Sequence, residues 1–176
     1  MSLYSKLQRR AAEGQPIRIG LIGAGKFGSM YLAQIPRTPG VHLVGIADLS
    51  PDAARTNLAR VGWQAERTRA TSLDDAVKTG ATHIGEDWRA LVRHPSVDIV
   101  VECTGSPIAA VEHCLEAFAN RKHVVNVTVE ADADRLAFGR AALQLGVQTH
   151  AASLVSSDEV CSALAGTPSF HGSSTG

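Results

Sequence analysis

From residue 17 to about residue 151, short apolar runs alternate with stretches in which apolar positions recur every three or four residues. A bounded apolar run of four to eight residues reads as a buried strand, and recurrence at i, i+3 and i+4 reads as one face of a helix. Residues 17–22, "IRIGLI", follow Pro16 and predict a first strand. A glycine-rich turn comes next. Phe27, Tyr31 and Ile35 then share a helical face until Pro36 and Pro39 stop it. Residues 41–47, "VHLVGIA", predict a second strand, and Ser50 with Pro51 opens a second helix that closes near Gly62.

Further along, Ser72 with Asp75 resembles a capping box, and Gly80 ends that short helix. Residues 81–84 predict a third strand. Asp87 caps a helix carrying Trp88, Leu91 and Val92, which ends before Pro95. Residues 97–102, "VDIVVE", predict a fourth strand. Ser106 and Pro107 then open a helix with Ile108, Val111, Leu115 and Phe118 on one face. Residues 124–129 predict a fifth strand. A helix over 132–145, capped by Asp132, anchored by Leu136, Leu143 and Leu145 and closed by Gly146, leads to a sixth strand at 147–151.

Helices of this length between strands imply right-handed crossovers. The expected fold is α/β, a Rossmann-type doubly wound parallel sheet of about six strands. Residues 1–15 read as a basic helical lead-in and 16–152 as one domain. Residues 153–176 are rich in Ser, Gly and Thr and are expected to be a loose, disordered tail.

Composition narrows the function classes. The 17 basic and 17 acidic side chains cancel, so no strong field draws the chain to nucleic acid or anionic lipid. No apolar run approaches the roughly 20 residues that span a bilayer, and "MSLYSKLQRRAAEG" lacks the features of a secretory signal. Cys103, Cys114 and Cys161 form no C-x-x-C pair, which fits reduced thiols in a cytoplasmic protein. The seven histidines show no metal-ligand spacing, so no metal is expected. His123, just before a strand, reads as structural. No G-x-S-x-G, S-x-x-K or H-E-x-x-H occurs to support a hydrolase.

The turn after the first strand carries the chemistry. "IGLIGAGKFGSMY" holds Gly23, Gly25 and Gly28 in a G-x-G-x-x-G spacing. Gly23 would allow the tight turn, Gly25 the approach of backbone to a pyrophosphate, and Gly28 the close packing of helix on strand. With Lys26 and Phe27 these residues form the expected cofactor cradle. Asp48, at the end of the second strand, lies about where an acid accepts hydrogen bonds from the adenosine ribose. The bland alternatives are a ligand-free turn and an Asp that only opens "LSP". A carboxylate at Asp48 repels a 2′-phosphate and so leans toward NAD over NADP. Lys26 and Arg55 offset that repulsion if they reach the site, and Lys26 otherwise is a solvated surface lysine.

Ligands of open α/β sheets lie beyond the carboxyl ends of the strands. At the end of "VVECTGSP", Thr104 and Gly105 are candidates for the cofactor's other half. Glu102 either lines the site or is a polar strand end. Cys103 reads as a small buried hydrophobe, with no basic partner to activate it. In "HVVNVTVEAD", a continuing strand would put Asn126, Thr128 and Glu130 on one face, as candidates on the substrate side.

Together, "IRIGLIGAGKFGSMYLAQI", "ADLSPDAARTNLARVGW", "DIVVECTGSPIAAVEHCLEAF" and "KHVVNVTVEADA" resemble the N-terminal domain of homoserine dehydrogenase-like oxidoreductases that carry a C-terminal SAF domain. Some members of that group are deoxyxylulose-phosphate reductoisomerase-like and use NADPH. The resemblance covers about residues 17–133. It implies that Gly23, Gly25 and Gly28 bind the pyrophosphate, Asp48 the adenosine ribose, and Thr104 and Gly105 the rest of the cofactor, so NADP stays open beside NAD. It departs at "NVTVEAD". There, homoserine dehydrogenases have an Asn-Lys pair and glucose-fructose oxidoreductase-type sugar dehydrogenases a Glu-Lys-Pro. No catalytic residue is therefore assigned.

The resemblance fades after about residue 133, where such enzymes continue into a substrate domain. A truncated chain or a reading frame shifted near its end would explain this. The expectation is a cofactor-binding domain of an oxidoreductase, acting on a small molecule through a domain outside this chain, and a homo-oligomer is compatible with it. A nucleotide-sensing regulator without catalysis is the alternative. A methyltransferase using S-adenosylmethionine is disfavoured by the full glycine spacing and by "VVECTGSP".

Overall fold

The computed structural model describes residues 2–128 and 149–151. The chain opens with helix α1 (Leu3–Ala12), followed by strand β1 (Ile17–Ile22), α2 (Lys26–Leu32), β2 (Val41–Ala47) and α3 (Pro51–Arg60). Then come α4 (Leu73–Thr79), β3 (His83–Gly85), α5 (Trp88–Arg93), β4 (Ile99–Glu102), α6 (Pro107–Ala119), β5 (His123–Asn126) and β6 (Thr149–Ala151). The expected helix over 132–145, with its cap Asp132, lies outside the described residues, as do Glu130, Cys161 and the tail from residue 153.

The six strands form one sheet in the order β3-β2-β1-β4-β5-β6, and every pairing is parallel. The order reverses between β1 and β4, the switch point at which such sheets hold ligands. β1 pairs with β2 as Ile22↔Ala47 and with β4 as Ile22↔Glu102. Three strand ends therefore stand in line, each followed by a turn into a helix.

β1 is buried on both faces, which explains its unbroken apolar run. One core, containing Ile22, Val44, Leu91, Val100 and Phe118, lies on the side of α4, α5 and α6. The other, containing Leu21, Leu32, Ile46, Leu58, Trp63 and Val101, lies on the side of α2 and α3. Trp63 donates its indole N–H to the Leu32 carbonyl at 2.8 Å, satisfying its polar atom inside that core.

Two helical faces differ from the periodicity reading. α2 stops at Leu32, and Ile35 falls in a 3-10 turn (Ile35–Arg37). Its buried positions are Gly28 and Leu32, while Phe27 is 63% exposed. α6 buries Ala110, His113, Cys114, Ala117 and Phe118 and leaves Ile108 87% exposed. In both helices small residues, Gly28 on α2 and Ala110 and Ala117 on α6, join Leu32 and Phe118 on the contact face and let the helix lie close to the sheet, while Phe27 and Ile108 turn outward.

The caps fall close to expectation. Ser50 Oγ accepts the Ala53 N–H and Asp87 Oδ1 the Ala90 N–H. Ser72 Oγ accepts the Asp75 N–H at 3.1 Å, but the Asp75 carboxylate returns to the Thr71 N–H at 2.9 Å, so the reciprocal bond is displaced by one residue. Ser106 occupies the N-cap of α6 without a side-chain cap bond.

Candidate functional site

The turn from β1 into α2 is shaped by two glycines that admit no side chain. Gly23 has φ +89°, and a Cβ there would lie 2.8 Å from the Cys103 carbonyl carbon and 2.9 Å from Thr104 Cα. A Cβ at Gly28 would lie 2.4 Å from the Gly23 carbonyl oxygen. The first contact seats the glycine turn against the end of β4, and the second seats α2 against the turn. Gly25 differs: a Cβ there would meet no protein atom within 4 Å. It is the N-cap of α2 and places no side chain over the first-turn N–H groups. The turn is thus locked on its protein side and open at Gly25, a shape that fits a pyrophosphate lying against backbone. Lys26 and Phe27 border that opening as exposed residues.

Asp48 follows directly on β2. Its Oδ2 accepts the Ala24 N–H at 2.7 Å, and its Oδ1 accepts the Ser50 N–H at 2.9 Å. Asn57 on α3 donates its side-chain N–H to the Ala24 carbonyl at 2.9 Å. Both polar groups of the Ala24 backbone are therefore held by side chains from beyond β2. The carboxylate keeps lone pairs for further donors. Arg55 points elsewhere, donating to the Thr68 carbonyl at 3.2 Å.

The second half of the site gathers at the ends of β4 and β5. Glu102 is fully buried, with 0% exposure, so it does not line an open surface. It accepts the Thr104 N–H at 3.1 Å, the hydroxyls of Thr104 and Thr128, and a 3.4 Å contact from His113 Nδ1. Burial works against its charge, but the hydrogen bonds from His113, Thr104 and Thr128 outweigh it and hold the carboxyl below its ordinary value. Thr128 Oγ1 also accepts the Gly105 N–H at 3.1 Å, and Trp88 lies edge-on to the His113 ring with centroids 4.4 Å apart.

β5 ends at Asn126, so Asn126 and Thr128 do not share a strand face as an extended strand would require. Instead the Thr128 N–H bonds back to Asn126 Oδ1 at 3.1 Å, and the chain turns Thr128 inward, where it is 3% exposed. There its hydroxyl donates to the buried Glu102 carboxylate. Glu130 lies outside the described residues. Cys103 is buried, and burial first, then the charge on Glu102, pushes its thiol up to about 12, far from a nucleophile.

Periodicity and motif spacing overlooked Asn57 and His113. Asn57 carries no motif. The signal for His113 was its i+4 relation to a small-residue face, Ala110–Cys114–Ala117, hidden by the bulkier apolar residues beside it. Among the described residues no His/Cys/Asp/Glu group could hold a metal, and no helix is long and apolar enough to cross a membrane.

The family model described as homoserine dehydrogenase, NAD binding domain, matches residues 23–148. Among solved structures, the chain is similar to an NAD binding oxidoreductase from Klebsiella pneumoniae, with 24% identity and a TM-score of 0.58 over 78% of this chain and 34% of that one. It is similar to a homoserine dehydrogenase from Thiobacillus denitrificans, with 25% identity and a TM-score of 0.59 over 77% and 29%. It is also similar to a biliverdin reductase from Synechocystis, solved with biliverdin and NADP+, with 21% identity and a TM-score of 0.56 over 77% and 37%. The chain thus spans about a third of the length of these structures. A comparison with curated proteins gave no match.

Proposed function

Because the chain belongs to the homoserine dehydrogenase NAD-binding domain family, we propose that residues 16–152 are the cofactor-binding domain of an oxidoreductase that transfers hydride to or from a small-molecule substrate. Gly23, Gly25, Lys26, Phe27 and Gly28 hold the pyrophosphate, Asp48 the adenosine ribose, and Thr104 and Gly105 the nicotinamide half. A bound nicotinamide supplies the hydride chemistry, while this chain's residues bind and orient it. Asn126 is the candidate on the substrate side of that arrangement, while Thr128, buried and bonded to Glu102, supports the site from behind. The buried, unpaired thiols of Cys103 and Cys114 suit a cytoplasmic setting.

The observation that carries this reading is the cradle at Gly25, open to solvent and backed by the Asp48–Ala24 bond. On this reading NAD is favoured over NADP, because a carboxylate at Asp48 would repel a 2′-phosphate and Arg55, which could offset that repulsion, donates to the Thr68 carbonyl instead. Fluorescence titration of the chain with NADH, NADPH and S-adenosylmethionine tests it. Saturable binding of NADH, tighter than NADPH, is expected. Binding of S-adenosylmethionine alone would sink the reading.

A further inference from the structure

Glu102 presents an energetic question that cofactor binding alone does not answer. A carboxylate taken fully out of water is costly, by several kcal/mol as a general rule, unless donors surround it. Here the donors do more than compensate. An ionised carboxylate only accepts hydrogen bonds, so each hydroxyl that meets it must spend its single proton on it. The Thr128 hydroxyl gives that proton to Glu102, and its lone pair is then turned to accept the Gly105 N–H at 3.1 Å. The Thr104 hydroxyl likewise donates to Glu102 and accepts the Ser106 N–H at 3.3 Å. The Thr104 N–H itself goes to Glu102 at 3.1 Å.

All three backbone N–H groups of residues 104–106 are thereby fixed, directly or through one hydroxyl, by one buried charge. Gly105 is held at φ +71° in the middle of this turn, and Thr104 Cα packs against Gly23. His113, from α6, closes the fourth side of the carboxylate, wedged by Trp88.

We propose that Glu102 is a positioning residue for the nicotinamide half of the cofactor. Without touching the cofactor, it sets the polarity of Thr104 and Thr128 and through them the shape of the 104–106 turn. This rests on the cofactor-binding reading above. It predicts an effect confined to one half of the ligand, because the glycine turn and Asp48 hold the other half through separate bonds.

Two ligands separate the halves: NADH, and ADP-ribose, which lacks the nicotinamide. The variants are Glu102→Gln, whose amide brings a donor where Thr128 must donate, Thr128→Val, which removes the relay, and Thr128→Ser, which restores it. Calorimetric titration of the 176-residue chain is expected to show NADH weakened about tenfold in Glu102→Gln and Thr128→Val, as the loss of a charge-assisted hydrogen bond implies. ADP-ribose should stay within about twofold, and Thr128→Ser should return to the wild-type value. Equal losses for both ligands, or no loss for either, overturn the positioning role. If Glu102→Gln does not fold, the Thr128→Val and Thr128→Ser pair decides by the same criteria. A wild-type chain that binds ADP-ribose and NADH with variants unaltered defeats this inference alone. A wild-type chain that binds neither ligand defeats the cofactor reading and this inference with it.

Discussion

The Asp48 carboxylate accepts the Ala24 N–H at 2.7 Å, so the acid that closes the second strand also holds the turn that follows the first. Asp48 thus helps to shape the glycine turn, and in the function proposed above it also selects the cofactor; substitutions can separate the two.

Asp48→Ala removes both acceptors and leaves the Ala24 N–H without its partner. A hydrogen bond to a charged group contributes about 1.5–3 kcal/mol, so a stability loss of that order is expected in urea denaturation. Asp48→Asn keeps one acceptor oxygen and removes the charge. It should cost less stability and raise the NADPH-to-NADH affinity ratio, since unit charges about 4 Å apart near a surface repel by roughly 1–4 kcal/mol. Titration of both cofactors reads the ratio, and an unchanged ratio in Asp48→Asn would falsify the ribose role.

Gly28→Ala and Gly25→Ala should fail in different ways. The first methyl runs into the Gly23 carbonyl oxygen, a backbone atom that no side-chain rotation can clear. Overpacking of this kind costs about 1–3 kcal/mol or more, so the melting temperature should drop. The second methyl meets no protein atom within 4 Å and sits at φ −70°, which alanine adopts freely. Gly25→Ala should melt like wild type yet bind NADH about tenfold less tightly, a difference of about 1.4 kcal/mol. Normal NADH affinity in Gly25→Ala would remove this position from the cofactor path.

The fold and the geometry of the glycine turn could be read from the sequence because local chemistry fixed them. Strands buried on both faces leave unbroken apolar runs, and Gly23 and Gly28 mark a turn whose geometry admits little else. Asp48 was legible by spacing from that turn. What was not legible depended on pairs distant in sequence. Glu102 and Thr128 are 26 positions apart, and the bond between them holds Thr128 inward past the end of β5, where a strand alternation rule no longer applies. Asn57 reaches Ala24 across 33 positions with no periodic trace. On α2 and α6, bulk was mistaken for burial: Phe27 and Ile108 point outward while Gly28 and Ala110 face the sheet.

The two buried thiols contribute to the alkaline limb of stability, beside the Tyr31 phenol, which burial also pushes up. Burial, then the charge on Glu102, pushes Cys103 and Cys114 up to about 12 from an ordinary value of 9.0. Their folded-state values are raised, so the folded chain keeps these protons while the unfolded chain releases them. Their contribution is complete below about pH 9 and is lost as pH rises from 9 toward 12. The melting temperature should fall across that range, and less steeply in Cys103→Ala with Cys114→Ala. With Cys161→Ser as background, neither buried thiol should react with a disulfide reagent at pH 8 while the chain is folded. Rapid labelling there would show that the core opens.

Acid stability should depend on Glu102 far more than on Glu116, although both carboxyls are held below their ordinary value. For Glu116 the cause is foremost the Arg93 guanidinium at 2.7 Å, an ion pair between α5 and α6 that water reaches and screens. For Glu102 burial opposes the charge, and the bonds from His113, Thr104 and Thr128 overcome it with no water to compete. A lowered folded-state value means stabilisation that is present above the unfolded value, near 4.5, and is lost as pH falls below it. Urea denaturation from pH 7 to pH 3 should therefore show a steep acid limb in wild type. Glu102→Gln should be less stable at pH 7 and lose less on acidification, because no proton then enters the core. Glu116→Gln should follow wild type closely. If Glu116→Gln flattens the acid limb as much as Glu102→Gln does, the buried carboxylate is not the group whose protonation opens the fold.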